Sequence, residues 1–277
     1  MLRSTLLIIL SAVLILLFRE PAYTGNRFIV LASTTSTVNS GLFDYILPAF
    51  TDRTGISVRV VGVGTRQAIK VAERGDADVL FVHHKISELK FVERGFGVKR
   101  HDVMYNDFVV VGPKLDPAGI QSVKSVVAAY QKIAATNSMF LSRGDDSGTH
   151  KRSLEFWKEA IPNRVNSIDS KWYREVGAGM GATLNIAQDI KGYTLTDRAT
   201  WEAFLNKESL DLFFDGDPRM RNEYGITMVS PDRHNHIKVD LASVFIMWIV
   251  SKEGQTVIDS FRINGKQMFF GNSENRS

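Results

Sequence analysis

The chain contains no cysteine. Disulfides, thiolate metal sites, cysteine nucleophiles and a lipid-modified N-terminal cysteine are all excluded. No long Lys/Arg run with interleaved aromatics occurs, and the net charge is only +4. A chain without a basic stripe does not call for nucleic acid as a partner. No internal repeat and no low-complexity stretch is present, which sets aside repeat architectures. No Gly-x-Ser-x-Gly elbow marks a serine hydrolase. The Gly62-Val63-Gly64-Thr65 turn lacks the third glycine and the later acidic residue of a dinucleotide fingerprint. Long hydrophobic runs are missing as well. The longest, Leu6 to Phe18, has 13 residues, the length of a signal core and short for a membrane span. It follows Met1-Leu2-Arg3 and ends at Arg19-Glu20-Pro21, without a clean Ala-x-Ala cleavage site. Residues 1–24 therefore read as an export signal, cleaved or kept as an anchor, and the protein as periplasmic.

What is present is an ordinary globular composition, 44% hydrophobic and 23% charged, arranged as alternating strands and helices. Phe28–Leu31, Val58–Val61 and Val79–Val82 are short apolar runs of strand type. Helical patterns separate them, from Val38 to about Phe50 and from Arg66 to Ala72. Together they predict a parallel β-α-β unit, with Pro48 ending or bending the first helix. A helix over Ser87–Arg94 and a basic loop, Lys99-Arg100-His101, follow. Asn106–Pro113 reads as a strand crossing between two lobes. A helix is expected from Ser122 to Ala135, and strands at Met139–Leu141 and Tyr193–Thr196. The chain returns near residues 218–230. Leu241–Val250 is too short to cross a bilayer and reads as a core helix. The expected class is α/β, with residues 27–110 plus 220–277 forming one lobe, 111–219 the other, and a cleft between them.

Polar chemistry concentrates where strands turn into helices. Ser142-Arg143-Gly144-Asp145-Asp146-Ser147-Gly148-Thr149-His150 combines a guanidinium with small residues at a helix start, where backbone N–H groups are unpaired. Such an arrangement suits a small anion. Ser33 to Thr37 is a five-residue hydroxyl run at another strand-to-helix turn, either an anion cradle or plain capping. Gly64-Thr65 and Gly179-Met180-Gly181 open two further helices and read either as anion contacts or as tight turns. One shared anion site accounts for all four. Ser147 and His150 suggest a nucleophile and base, but triad members normally converge from separate loops. His83 and His84 are adjacent on a strand, point to opposite faces and are poorly placed to chelate one metal.

Several stretches, in order, resemble the tungstate-binding proteins of ABC importers, a branch of the type II periplasmic binding proteins. They are Ala32-Ser33-Thr34-Thr35-Ser36-Thr37, Gly75 to His83, Val103 to Val109, Ser142 to His150, Gly179-Met180-Gly181 and Tyr193 to Arg198. The resemblance implies a two-lobed type II periplasmic-binding-protein-like fold that closes on a tetrahedral dianion, tungstate or molybdate, and delivers it to a membrane permease and its ATPase. It also implies a monomer that needs no cofactor. The family's hydroxyl run falls on Thr34, Thr35 and Ser36, its arginine on Arg143 and its downstream hydroxyl on Thr149. Gly64, Thr65, Ser147, Gly148 and Met180 complete the candidate ligand-binding set. Two positions depart from the family pattern. Gly62-Val63-Gly64-Thr65-Arg66 makes a bulkier, more basic edge, and His84-Lys85 replaces small or Pro residues. Phosphate or sulfate binding on the same fold is the nearest alternative. Monohydrogen phosphate would need an acceptor, which Asp145 or Asp146 could supply.

Overall fold

The computed structural model describes residues 27–162 and 171–274. The expected export segment, residues 1–24, lies outside them. The described chain opens with strand β1 (Phe28–Thr34), which runs into helix α1 (Thr35–Asn39) and then α2 (Leu42–Thr54). β2 (Ser57–Val63), α3 (Thr65–Glu73), β3 (Val79–Val82) and α4 (Lys85–Glu93) continue the alternation. A 17-residue strand, β4 (Gly97–Pro113), follows. Then come α5 (Val126–Ala135), β5 (Phe140–Ser142), α6 (Gly148–Ala160), β6 (Tyr173–Glu175) and α7 (Met180–Ile190). β7 (Tyr193–Asp197), α8 (Arg198–Ala203), β8 (Leu210–Phe214) and β9 (Arg221–Val229) lead to the closing helices α9 (Val239–Val250) and α10 (Lys252–Ser260).

β1 pairs in parallel with both β2 and β3, as the β-α-β reading requires. β9 then joins antiparallel between β3 and β4. The first sheet thus runs β2-β1-β3-β9-β4. The second, β4-β7-β5-β6, shares β4 and carries β8 on the same strand. β4 pairs with β9 through Asp107 and with β7 from Phe108 onward. The mixed α/β, two-lobed type II arrangement is the one the sequence predicts, with β4 and β9 as neighbouring strands at the passage between lobes.

Alternation along each strand sends side chains to opposite sides, so each sheet has a core on both faces. Leu31 and Phe81 pack with Phe50, Phe245 and Trp248, whereas Ala32 and Leu80 pack with Ala68, Ala72 and Phe91. In the second lobe Val110 and Phe140 meet Tyr130 and Trp157, while Val109 and Leu141 meet Leu184 and Trp201. α9 is the core helix its composition predicts, burying Phe245, Ile246, Trp248 and Ile249.

Four local expectations are corrected. The helix over Val38–Phe50 is two helices, because Gly41 adopts a left-handed φ of 79° at their junction. Pro48 does not end α2, which continues to Thr54. Pro48 is exposed, so the carbonyl its ring deprives of a partner sits on the solvent side, while Phe43, Ile46 and Phe50 keep the other face packed. Lys99-Arg100-His101 is strand rather than loop. Arg100 is buried there against Glu88 and Asp102, each at 2.6 Å, which removes the apparent need for solvent. The helix expected from Ser122 starts at Val126, where the Ser125 hydroxyl accepts the Ala128 N–H.

Candidate functional site

The hydroxyl run sits at the end of β1, where the chain leaves the sheet. Thr34 Oγ1 accepts the Thr37 N–H and lies 2.7 Å from Thr37 Oγ1 and 3.2 Å from Ser36 Oγ. Thr34 and Ser36 are buried; Thr35 is half-buried and lines a cavity of about 300 Å³ together with Ser36, Met180 and Gly181. Ser33 is not in this group, since its hydroxyl donates to the Phe81 carbonyl inside the sheet.

Arg143 comes from the other lobe, on the turn after β5. Its carbonyl accepts the N–H groups of Gly177 and Ala178, so the turn after β6 pins its backbone. The side chain is only 5% exposed, and its Nη2 donates to Asp145. Asp145 in turn accepts the Ser147 N–H at 3.2 Å. Arg143 Nε has no hydrogen-bond partner among the described residues, and neither has the buried hydroxyl of Thr149, in the first turn of α6. Buried donors are normally paired; these two lie six residues apart on one turn, whereas the other unpartnered buried N–H groups include those of Trp157, Trp172 and Trp248 in the hydrophobic cores. Asp197, which caps α8 through the Thr200 amide and hydroxyl, is also buried; burial raises its carboxyl pKa, with Arg143 close enough to oppose the rise.

The lobes meet at Thr65 and Gly148. Thr65 Oγ1, at the first turn of α3, accepts the Gly148 N–H at 3.2 Å from the first turn of α6. Gly148 must lack a side chain: a Cβ there would lie 3.2 Å from the His83 ring and 3.3 Å from its carbonyl. Gly64 faces the Asp145 carbonyl across the same seam. At its solvent edge Asp146 bridges Arg66 and Lys151, both at 3.5 Å. Of the predicted residues, Thr35, Ser36 and Met180 thus line one cavity, and Thr65 and Gly148 meet across the two lobes. Ser147 is there mainly as the cap of α6, accepting the His150 N–H at 3.1 Å. The His150 imidazole turns instead to Ser142 Oγ at 2.7 Å and the Gly144 N–H. Ser147 and the His150 ring do not form a nucleophile–base pair.

Residues 20–253 match the model of the PBP superfamily domain. The chain is 42% identical to the tungstate-binding protein TupA of Peptoclostridium acidaminophilum over 243 residues, 87% of this chain and 82% of that protein. The chain belongs to the TupA family of the PBP superfamily. Solved structures agree. The tungstate-binding protein TupA from Desulfovibrio alaskensis G20 superposes with a TM-score of 0.78 at 41% identity, covering 90% of this chain and all of that one. The tungstate ABC transporter structure from Geobacter sulfurreducens gives 0.77 at 44%, covering 84% and 98%.

In this TupA-family chain the sequence reading missed three site neighbours. His83 is 6% exposed, stands 3.4 Å from Ser36 Oγ through Nε2, and reaches Asn222 Oδ1 at 3.0 Å through Nδ1. Burial lowers its pKa to about 4, with Arg143 adding to the effect and the Asn222 bond opposing it. His83 and His84 both lie past the end of β3, so strand alternation does not separate them; both line one cavity, and His84 caps α4 by accepting the Ser87 N–H. Asn222 opens β9 and Asp197 ends β7. Neither carries a local motif, so only their pairing across strands makes them neighbours of the cleft.

Proposed function

We propose that this chain captures tungstate outside the cytoplasm and delivers it to an ABC importer, with Thr34, Thr35, Ser36, Thr65, Arg143, Gly148 and Thr149 around the anion and Met180 at the rim. The observation that carries the reading is the pair of buried donors without a partner among the described residues, Arg143 Nε and Thr149 Oγ1, brought together on the turn from β5 into α6. A fully deprotonated oxyanion offers only acceptors. Desolvating it is costly unless many fixed donors replace water, and the permanent charge of a guanidinium adds the strongest of them. Sequence identity above 40% to proteins named for tungstate supports the same ligand class. The apolar stretch at residues 6–18 supports export, as signal or anchor. A membrane permease with its ATPase is the partner this reading requires, and we take the receptor to act as a monomer with residues 27–110 plus 220–277 and 111–219 as its lobes.

Monohydrogen phosphate fits less well. It needs an acceptor for its proton, yet the oxygens of Asp145 are committed to Arg143 and the Ser147 amide, and Asp146 faces Arg66 and Lys151 at the solvent edge. Calorimetry with tungstate, molybdate, sulfate and phosphate tests the assignment. Arg143→Ala is expected to weaken tungstate binding by more than ~10-fold, since a hydrogen bond to a charged group contributes about 1.5–3 kcal/mol. Unchanged affinity would remove Arg143 from the site.

A further inference from the structure

We infer that His83 is a positioning residue that takes up a proton when the anion binds and thereby turns the Ser36 hydroxyl toward it, making the pocket selective for fully deprotonated oxyanions. The inference rests on the tungstate reading above and assigns a role to a side chain that reading does not use.

The argument starts from the direction of a hydrogen-bond chain. Asn222 Nδ2 donates to Asn106 Oδ1 at 2.8 Å and to the Tyr224 hydroxyl at 3.3 Å. Its Oδ1 is thereby the atom presented to His83 Nδ1, which must carry a hydrogen to make the 3.0 Å contact. The only position left for a lone pair on a neutral ring is Nε2, which faces Ser36 Oγ. In that state the Ser36 proton is drawn to the imidazole and away from the cleft. Once Nε2 is protonated the polarity reverses: Nε2–H donates to Ser36 Oγ, and the Ser36 O–H is released toward an acceptor in the cleft. An unprotonated dianion rewards the second state. An anion bearing its own proton would need the first.

The surroundings make the change ligand-dependent. Burial keeps the His83 ring neutral, and the charge of Arg143 adds to the effect. A dianion beside Arg143 offsets that positive charge and adds negative charge of its own. From the start of α4 His84 and Lys85 face the ring's cavity, from α6 Arg152 and Glu155, and from β9 Arg221, Glu223 and, through ring contact, Tyr224. These largely pair among themselves, Lys85 with Glu223 at 3.2 Å and Arg152 with Glu155. Arg143 pairs with Asp145 through Nη2, but its Nε has no partner among the described residues, and it is the guanidinium that acts on the His83 ring, so an anion at Nε changes its field there. The ring is also covered from the second lobe by Gly148, which couples its environment to closure.

The sign follows from linkage. A group whose pKa is higher in the loaded form binds its proton with the ligand. Affinity is then greatest on the acid side and declines as pH rises through the loaded-state value, by up to ~10-fold per pH unit. Calorimetry of tungstate binding at about pH 7, in two buffers of different ionisation enthalpy, is expected to read uptake of close to one proton per anion. Uptake should vanish in His83→Gln, whose amide offers Ser36 a donor that does not titrate, and the affinity of that variant should lose its pH dependence. Nitrogen-15 spectra of wild-type protein give a readout that needs no variant, with both His83 ring nitrogens protonated in the loaded form. No proton uptake, persistence of uptake in His83→Gln, or a neutral His83 ring in the loaded protein would each overturn the proposal while leaving tungstate binding intact. Failure to bind tungstate at all would instead overturn the functional reading beneath it.

Discussion

At the scale of single residues, the site is defined by donors that the protein itself does not use. Thr149 illustrates this. Its hydroxyl is buried without a partner among the described residues, so in the empty protein it contributes desolvation cost and no bond. Thr149→Val keeps the shape and the backbone N–H and deletes only the hydroxyl. The melting temperature of the empty protein should stay constant or rise, while tungstate affinity falls ~10-fold, the size of a hydrogen bond to a charged group. Calorimetry and a thermal melt read the two effects separately; a destabilised empty protein would mean that the hydroxyl has a structural partner. The motif around Arg143 was legible because a guanidinium, small residues and a helix start lie within a few positions of each other. His83 was not. Its role depends on Ser36, 47 positions earlier, and Asn222, 139 positions later, and no local spacing encodes such distances.

At the scale of elements, caps and turns decide where each donor stands. Ser147 fixes the first turn of α6, and the turn after β6 holds Arg143 through its carbonyl. Long-range ion pairs do the same for strands. Glu88 on α4 and Arg100 on β4 meet over Gly225 of β9, where a Cβ would lie 2.6 Å from Arg100 Nε. Gly225→Ala must therefore push the pair apart. Breaking a buried ion pair costs about 3–5 kcal/mol, and urea denaturation should show a loss of that order; a loss below 1 kcal/mol would mean that the pair can shift without separating. This is also why Lys99-Arg100-His101 reads wrongly as a loop. A run of basic residues suggests solvent, and the acid that makes burial tolerable lies on another element. Of the two outcomes expected at Pro48, an end to the helix is the one not seen, since a proline is tolerated in a helix where the carbonyl it frees can reach water.

At the scale of the whole molecule, binding and closure share contacts. The bond from Gly148 N–H to Thr65 Oγ1 crosses between lobes, and a neutral hydrogen bond contributes about 1 kcal/mol. Thr65→Val is expected to speed tungstate release ~5-fold with little change in the association rate, measurable by stopped-flow fluorescence; an unchanged release rate would mean that this bond does not hold the lobes together. The sequence alone determined the alternation of strands and helices, the class of fold, the core helix near the C-terminus and the donor-rich helix starts. Those features arise from periodicity, capping and side-chain chemistry within a few residues of one another. Tertiary structure alone decided which donors remain unpaired, that Thr65 meets Gly148, and that a histidine just past β3 closes a hydrogen-bond chain beneath Ser36. Each of these depends on which distant segments the shared strand β4 and its neighbour β9 bring into contact, and that is a property of the folded sheets.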